Sequence, residues 1–412
     1  MKAELPELMR ERGLDALLVL GPDGKSCANP AFAYFIGSAH VTTGVVIVRA
    51  DGSAFLLHHT MDRDEAAKTD LKLIDRSRYN YPALLRANNG DPIAAQAALL
   101  CQALRDVEAG PRVGIYGVEE VSVTLRLVDA LRRDATFTVV AEGDDDVITC
   151  ARKTKDRREA ALIQQVCRLA EEVIAETQAF LQAHRAHNGC LVRPDGAALT
   201  VGDVKRFIRA RAAERNLRGA DCIFAMGRDA GVPHSTGNES DPIQVGRAIV
   251  FDFFPRGPEG YHADITRTWC LGFAPAEVER AWQTVLEAHA LAERSFNLRD
   301  FTWAYNEAVC DLFEARGYTT LRQDPRATRG YVHSLGHGFG LAVHEAPSIS
   351  LKGWRPDEVF QPGTVFCSEP GLYDPEAGWG VRVEDDYWFD EQGVLHRLTR
   401  YPHDLVIPLR EG

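Results

Sequence analysis

Four acidic residues interrupt runs that otherwise read as buried β-strand, and they constrain this chain more than any other feature. Asp252 and Asp264 lie in "RAIVFDFFPRGPEGYHADITRTW" (247–269), and Glu369 and Glu384 lie in "GTVFCSEPGLYDPEAGWGVRVEDDYWF" (363–389). A carboxylate inside an apolar strand is costly to bury unless it is paired, hydrogen-bonded or bound to a cation. In the first segment, two strand-like runs flank "PRGPEG", whose Pro and Gly suit a hairpin loop. If Phe254 faces His262 across that loop, Asp252 stands directly opposite Asp264. Directly opposed Cβ atoms are about 4.5–5.5 Å apart, so such a pair needs a shared proton or a cation between its members. A register slipped by one residue would separate them. In the second segment, Glu369 ends one run and Glu384 lies inside the other. Asp385 and Asp386 supply the polar positions there, so a solvent-facing Glu384 fits less well than a ligating one.

Four negative charges balance two divalent cations, and one neutral imidazole would complete the set. The chain has 13 histidines, three of them in "HSLGHGFGLAVHEAP" (333–347): His333, His337 and His344. A carboxylate-rich site with a single nitrogen suits Mn²⁺, Co²⁺ or Zn²⁺, and soft thiolate chemistry is expected to be absent. Two such ions about 3.5–4 Å apart would clamp a hydroxide and polarise a carbonyl, which is hydrolytic chemistry.

Composition excludes several other classes. A formal net charge of −12 argues against a nucleic-acid-binding surface, which would show a basic excess. No run approaches about 18 consecutive apolar residues, so no membrane span is expected. The opening "MKAELPELMRERG" lacks the apolar core of a signal peptide. Nine dispersed cysteines without a C-x-x-C pair read as buried thiols in a reducing cytoplasm.

At 412 residues the chain exceeds what one core usually serves, and two domains are expected. "LDALLVLG", "TGVVIVRADG", "SAFLLHH" and "RVGIYGV" read as strands, and residues 91–107 and 119–133 carry helical periodicity. That alternation predicts an α/β domain with some parallel pairing. The acidic run at Asp144, Asp145 and Asp146 points its side chains in different directions and reads as a solvated connector. A long helix follows, with Leu162, Val166, Leu169, Val173 and Ile174 on one buried face. The boundary is placed at its start, giving residues 1–154 and 155–412.

The segments "DFFPRGPEGYHADITRTW", "HSLGHGFGLAVHEAP", "SEPGLY" and "GVRVED" resemble the pita-bread metallopeptidases: methionine aminopeptidase, aminopeptidase P and prolidase. Residues 1–150, including "NPAFAYFIG", resemble the creatinase-type N-terminal domain of the proline-specific branch. The resemblance implies a creatinase-type α/β domain followed by a pita-bread catalytic domain, and two divalent ions, Mn²⁺ first, with Co²⁺ or Zn²⁺ as alternatives. It implies that Asp252, Asp264, His337, Glu369 and Glu384 bind metal, with Glu369 also carrying the proton in catalysis. His344 would contact the scissile carbonyl, His234 in "GVPHSTG" the leaving nitrogen, and His333 would line the proline pocket. Arg382 would orient the site and is grouped with these substrate-binding residues. A glycine-rich backbone around His337 would let the chain pass close to the metals.

Two departures from the family pattern stand out. The spacing from Asp252 to Asp264 is one residue longer than is common, and Ser348 follows "HEAP" where many archaeal-type prolidases carry arginine. Lys352 or Arg355 is the candidate replacement for that charge. The expected activity is hydrolysis of an Xaa-Pro bond after a free amino-terminal residue in a small peptide, by a cytoplasmic homodimer. Xaa-Pro dipeptidase comes first and aminopeptidase P, acting on longer peptides, second. Metal-free creatinase-like hydrolysis and a non-catalytic binding module are remoter, because the chain keeps every carboxylate ligand.

Overall fold

The computed structural model describes residues 4–23, 29–219 and 221–409. Cys27 lies outside them. The chain divides into two compact units, Met1–Arg152 and Lys153–Gly412.

The first unit is built on a six-stranded sheet. Its strands are β1 (Ala16–Asp23), β2 (Thr43–Arg49), β3 (Ala54–His58), β4 (Lys72–Asp75), β5 (Arg112–Gly117) and β6 (Thr138–Val140), in the order β4-β3-β2-β1-β5-β6. β1 is antiparallel to β2 and parallel to β5; β3–β4 and β5–β6 are also parallel. The expected parallel pairing is therefore present within a mixed sheet. Ala16, Leu18 and Leu20 alternate along β1 and meet Leu99, Leu100, Ala103 and Leu104 of the helix Pro92–Asp106 in one buried core. Each large apolar side chain buried there contributes about 1.5–3 kcal/mol. The acidic run behaves largely as a connector: Asp144 and Asp145 are exposed, while Asp146 accepts from the amides of Ile148 and Thr149 at a helix start.

In the second unit, the long helix Arg157–Ala183 opens with a capping box between Asp156 and Glu159. Its buried stripe runs through Ala160, Ile163, Val166, Cys167, Ala170, Val173, Ile174 and Leu181. Leu162 and Leu169, expected on that stripe, are only half-buried. The small residues Cys167 and Ala170 turn a neighbouring line of the helix inward because they permit closer packing. No helix among the described residues is long and apolar enough to cross a membrane.

Four small sheets among the described residues carry the rest, one of them the short hairpin of Arg185–His187 and Cys190–Val192. A four-stranded sheet runs in the order Val406–Ile407, Ile265–Leu271, Ala248–Phe253, Cys222–Met226. A five-stranded sheet runs Glu345–Ile349, Gly336–Gly338, Val365–Ser368, Asp385–Phe389, Leu395–Arg397. Gly371–Asp374 and Trp379–Arg382 form a separate hairpin. The helices Ala276–Ser295 and Thr302–Ala315 share a core with Phe366, Val381 and Tyr387.

Two expectations are corrected here. Asp252 pairs with Thr266, not with Asp264, and Arg256 bridges His262. The turn closes over residues 257–261, with the Gly257 amide donating to the Tyr261 carbonyl, which shifts the register by two. Because side chains alternate with period two, both aspartates still face the same side, now as diagonal neighbours. Nor do Asp385 and Asp386 supply polar surface, since both are fully buried. Asp385 is enclosed by Arg267, Arg397, His289 and His403. Burial alone would raise its carboxyl, but Arg267 and the two histidines outweigh that and hold it well below the ordinary carboxylate range.

Candidate metal centre

Three of the candidate ligands adjoin strand ends, while Asp252 and His337 lie within strands. Asp264 immediately precedes the strand Ile265–Leu271, and His337 is the middle residue of Gly336–Gly338. Glu369 follows Val365–Ser368, and Glu384 precedes Asp385–Phe389. The run expected to hold Glu384 inside a strand instead breaks between two sheets at that residue. Backbone bonds fix the breaks: the Glu384 amide donates to the Thr266 carbonyl, and the Glu369 amide to Leu335. The glycines flanking His337 serve close packing of strands: a Cβ on Gly336 would strike the Cys367 carbonyl, and one on Gly338 the Ala346 carbonyl.

Ligand atoms of Asp264, His337, Glu384 and Cys367 all lie within 4.8 Å of one another. The His337 ring faces its Nδ1 toward the Gly338 carbonyl at 3.1 Å. With a proton on Nδ1, the Nε2 lone pair is left for a cation held among the carboxylates. Nε2 is 3.3 Å from Glu369 Oε1 and 3.8 Å from Asp264 Oδ2. Asp252 is near enough for its charge to act on Asp264 and Glu384, and its Oδ2 is taken by Arg382 Nη2 at 2.6 Å.

The charges fit a cation. Burial first, then neighbouring carboxylates, push Asp264 and Glu384 well above the ordinary carboxylate range. Burial also raises Asp252, against the pull of Arg382. Glu369 goes the other way: burial opposes its charge, but His333, His337 and Arg382 outweigh it and hold the carboxyl low. Asp252 Oδ1 and Glu384 Oε1 are buried and have no hydrogen-bond partner among the described residues. Unsatisfied buried oxygens crowded by like charge are what a divalent cation relieves.

Arg382 is 1% exposed, and it donates to Thr266 Oγ1, the Pro233 carbonyl, Tyr373 Oη and Asp252. In this geometry it orients Asp252, and its Nε lies 3.8 Å from Glu369 Oε2. Thr266 continues the support by donating to Glu384 Oε2 at 2.7 Å. Nothing in "DITRTW" singled Thr266 out.

The remaining histidines line one side. His333 Nδ1 lies 3.1 Å from the Ser334 carbonyl and 3.6 Å from Glu369 Oε2, so it carries the proton. His333 Nε2 then accepts from His234 Nε2, 3.2 Å away. His344 lies at the surface with its ring 4.3 Å from that of His337. Though the residue is exposed overall, partial burial of its imidazole and then His337 push it down to about 4, so it is neutral at pH 7.

A residue not anticipated at the site is Cys367, whose Sγ is 3.5 Å from His337 Nε2, with burial and then Glu384 and Glu369 pushing its thiol well above the ordinary range. The signal was present in "CSE": residues two apart on a strand share a face, so Cys367 points where Glu369 points.

The model of metallopeptidase family M24 matches residues 161–391. The chain belongs to this family. The creatinase/prolidase N-terminal domain matches residues 2–149, so this M24 member joins a creatinase-type domain to a pita-bread domain. It is 28% identical over 263 residues to an Xaa-Pro dipeptidase of Pyrococcus furiosus, covering 64% of this chain and 67% of that one. Among solved structures, an Xaa-Pro dipeptidase from Bacillus anthracis superposes with a TM-score of 0.76 at 22% identity, covering 99% of each chain. An X-Pro aminopeptidase from Thermotoga maritima gives a TM-score of 0.73 at 23% identity over 98% of this chain and 99% of that one.

Proposed function

We propose that this M24 member hydrolyses the Xaa-Pro bond after a free amino-terminal residue, with Xaa-Pro dipeptidase as the first reading and residues 155–412 as the catalytic domain. The observation that carries it is the close grouping of Asp264, His337 and Glu384, with Asp252 and Glu369 acting on it through their charge, and the buried Asp252 and Glu384 oxygens that have no hydrogen-bond partner among the described residues. The dipeptidase relative supports the substrate class.

Two divalent ions held by those five residues would supply Lewis acidity and a water acidic enough to ionise near neutral pH. The chain's own groups supply the rest. Glu369 turns one oxygen to His337 and the other to His333, so it is placed to hold a proton taken from attacking water. Neutral His344 donates to the scissile carbonyl oxygen as charge develops there. His234, hydrogen-bonded to His333 Nε2, contacts the leaving nitrogen, and His333 walls the proline pocket. Arg382 keeps Asp252 in position.

One observation favours the second reading, an aminopeptidase acting on longer peptides. Ser348, at the place of the arginine expected to hold a dipeptide carboxylate, bonds Ser350 through its hydroxyl and Glu358 through its amide. Lys352, a candidate substitute, lies over the Trp303 ring. Hydrolysis of an Xaa-Pro dipeptide and an Xaa-Pro-led tripeptide, with and without Mn²⁺, separates the two. Dipeptide cleavage dependent on metal supports the first reading, and tripeptide cleavage alone supports the second. Inactivity on both removes the proposal. The carboxylate-rich set suits Mn²⁺, Co²⁺ or Zn²⁺, with Mn²⁺ placed first by the resemblance, which also supports a homodimer; the dispersed thiols support a cytoplasmic setting.

Asp264→Asn tests the ligand set. It removes one negative charge from a site whose carboxylates offset the ions, so metal occupancy and activity should fall together. A ligand at 100 times its Kd stabilises the folded state by about 2.7 kcal/mol. The rise in melting temperature that Mn²⁺ gives the wild type should therefore shrink in the variant. A fully metallated, active Asp264→Asn protein would remove Asp264 from the set.

A further inference from the structure

Buried cysteines usually pack as small apolar side chains. Cys367 does not. It is fully buried, yet its sulfur lies 3.5 Å from His337 Nε2 and 3.9 Å from Glu369 Oε1, within 4.8 Å of ligand atoms of Asp264 and Glu384. Bonds of about 2.0–2.3 Å to a four-coordinate ion put neighbouring ligand atoms roughly 3.3–3.7 Å apart. The sulfur-to-Nε2 distance of 3.5 Å and the Nε2-to-Asp264 distance of 3.8 Å approach such edges. A second observation points to a ligand in this space. Glu384, 1% exposed and part of the same cluster, keeps Oε1 without a hydrogen-bond partner among the described residues.

The contact between thiol and imidazole also depends on the cation. The Nδ1 of His337 donates to Gly338, and the Cys367 S–H has both His337 Nε2 and Glu369 Oε1 within reach as acceptors. A cation held by those two atoms would remove both acceptors and leave the sulfur facing it.

We infer that Cys367 is a further protein ligand of this centre, giving a thiolate to the ion held by Asp264, His337 and Glu384. The inference rests on the proposal that these carboxylates hold divalent ions, and it deepens that reading. As the sulfur–metal bond forms, the S–H bond breaks and its proton leaves to solvent; no electron is exchanged, and a coordinating thiol is deprotonated outright. Sulfur favours softer ions, so this centre selects Co²⁺, Zn²⁺ or Cd²⁺ over Mn²⁺ more strongly than an all-oxygen-and-nitrogen set.

The test uses the full chain loaded with Co²⁺, its metal content measured directly. Wild type is expected to show a thiolate-to-cobalt charge-transfer band in the near ultraviolet, which Cys367→Ser loses. The preference for Cd²⁺ over Mn²⁺ in competition should fall by about tenfold or more in the same variant. X-ray absorption of the Zn²⁺-loaded wild type should show sulfur at about 2.3 Å, a result that needs no variant. Cobalt bound without the band, a band that survives Cys367→Ser, or zinc bound without a sulfur neighbour overturns the inference and leaves the carboxylate site standing. A protein that takes up neither ion overturns both.

Discussion

Glu369→Gln should lower turnover on an Xaa-Pro peptide by about 10²–10⁴, the usual contribution of a positioned proton carrier, with a smaller loss of metal affinity. The geometry explains the asymmetry. Glu369 Oε1 faces His337 Nε2 at 3.3 Å, on the ligand side, and Oε2 faces His333 Nδ1 at 3.6 Å. An amide keeps the size of the side chain and one coordinating oxygen, but it can neither accept the proton nor carry the charge that His333, His337 and Arg382 stabilise. Turnover at saturating Mn²⁺, beside metal content on the same preparation, decides the matter. Activity above about a tenth of wild type would move proton transfer to another group, and His234 would be next.

For His344→Ala the expected loss in turnover is about 10²–10³, the scale for removing one transition-state donor, with metal content nearly unchanged. Here the separation between chemistry and metal binding should be cleaner than at Glu369. His344 touches the His337 ring but has no carboxylate partner among the described residues. Its imidazole, held down to about 4, is neutral at pH 7, so its removal takes away a neutral donor and leaves the local charge unchanged. If metal content fell as far as turnover, His344 would belong among the ligands.

Much of this site was legible because burial makes acids conspicuous. Asp252, Glu369 and Glu384 stand out against apolar neighbours, and three histidines near glycines mark the facing strand. What could not be read was everything that depends on register and on breaks between strands. Asp385 and Asp386 look like surface, yet both are buried, because a polar residue reveals its surroundings only through partners far along the chain. Arg267 is one such partner: it donates to Asp385 and to the carbonyls of Glu384, Pro402 and Tyr401. Cys367 was hidden by its chemistry, since a thiol in an apolar run reads as core. Its two-residue spacing from Glu369 was available, but it acquires meaning only once Glu369 is known to face carboxylates.

The ladder around the first two aspartates sets a parity rule for how this segment can diverge. Asp252 opposite Thr266 and Arg256 opposite His262 belong to one unbroken register, so residues 254–255 and 263–264 match in number across the hairpin. A residue inserted among 257–261 only enlarges the tip, and neither carboxylate registers the change. A single residue inserted at 254–255 or at 263 would rotate one aspartate to the opposite face. Length variation in this hairpin should therefore be free at its crown, while along its legs it should come only in pairs or with a compensating bulge.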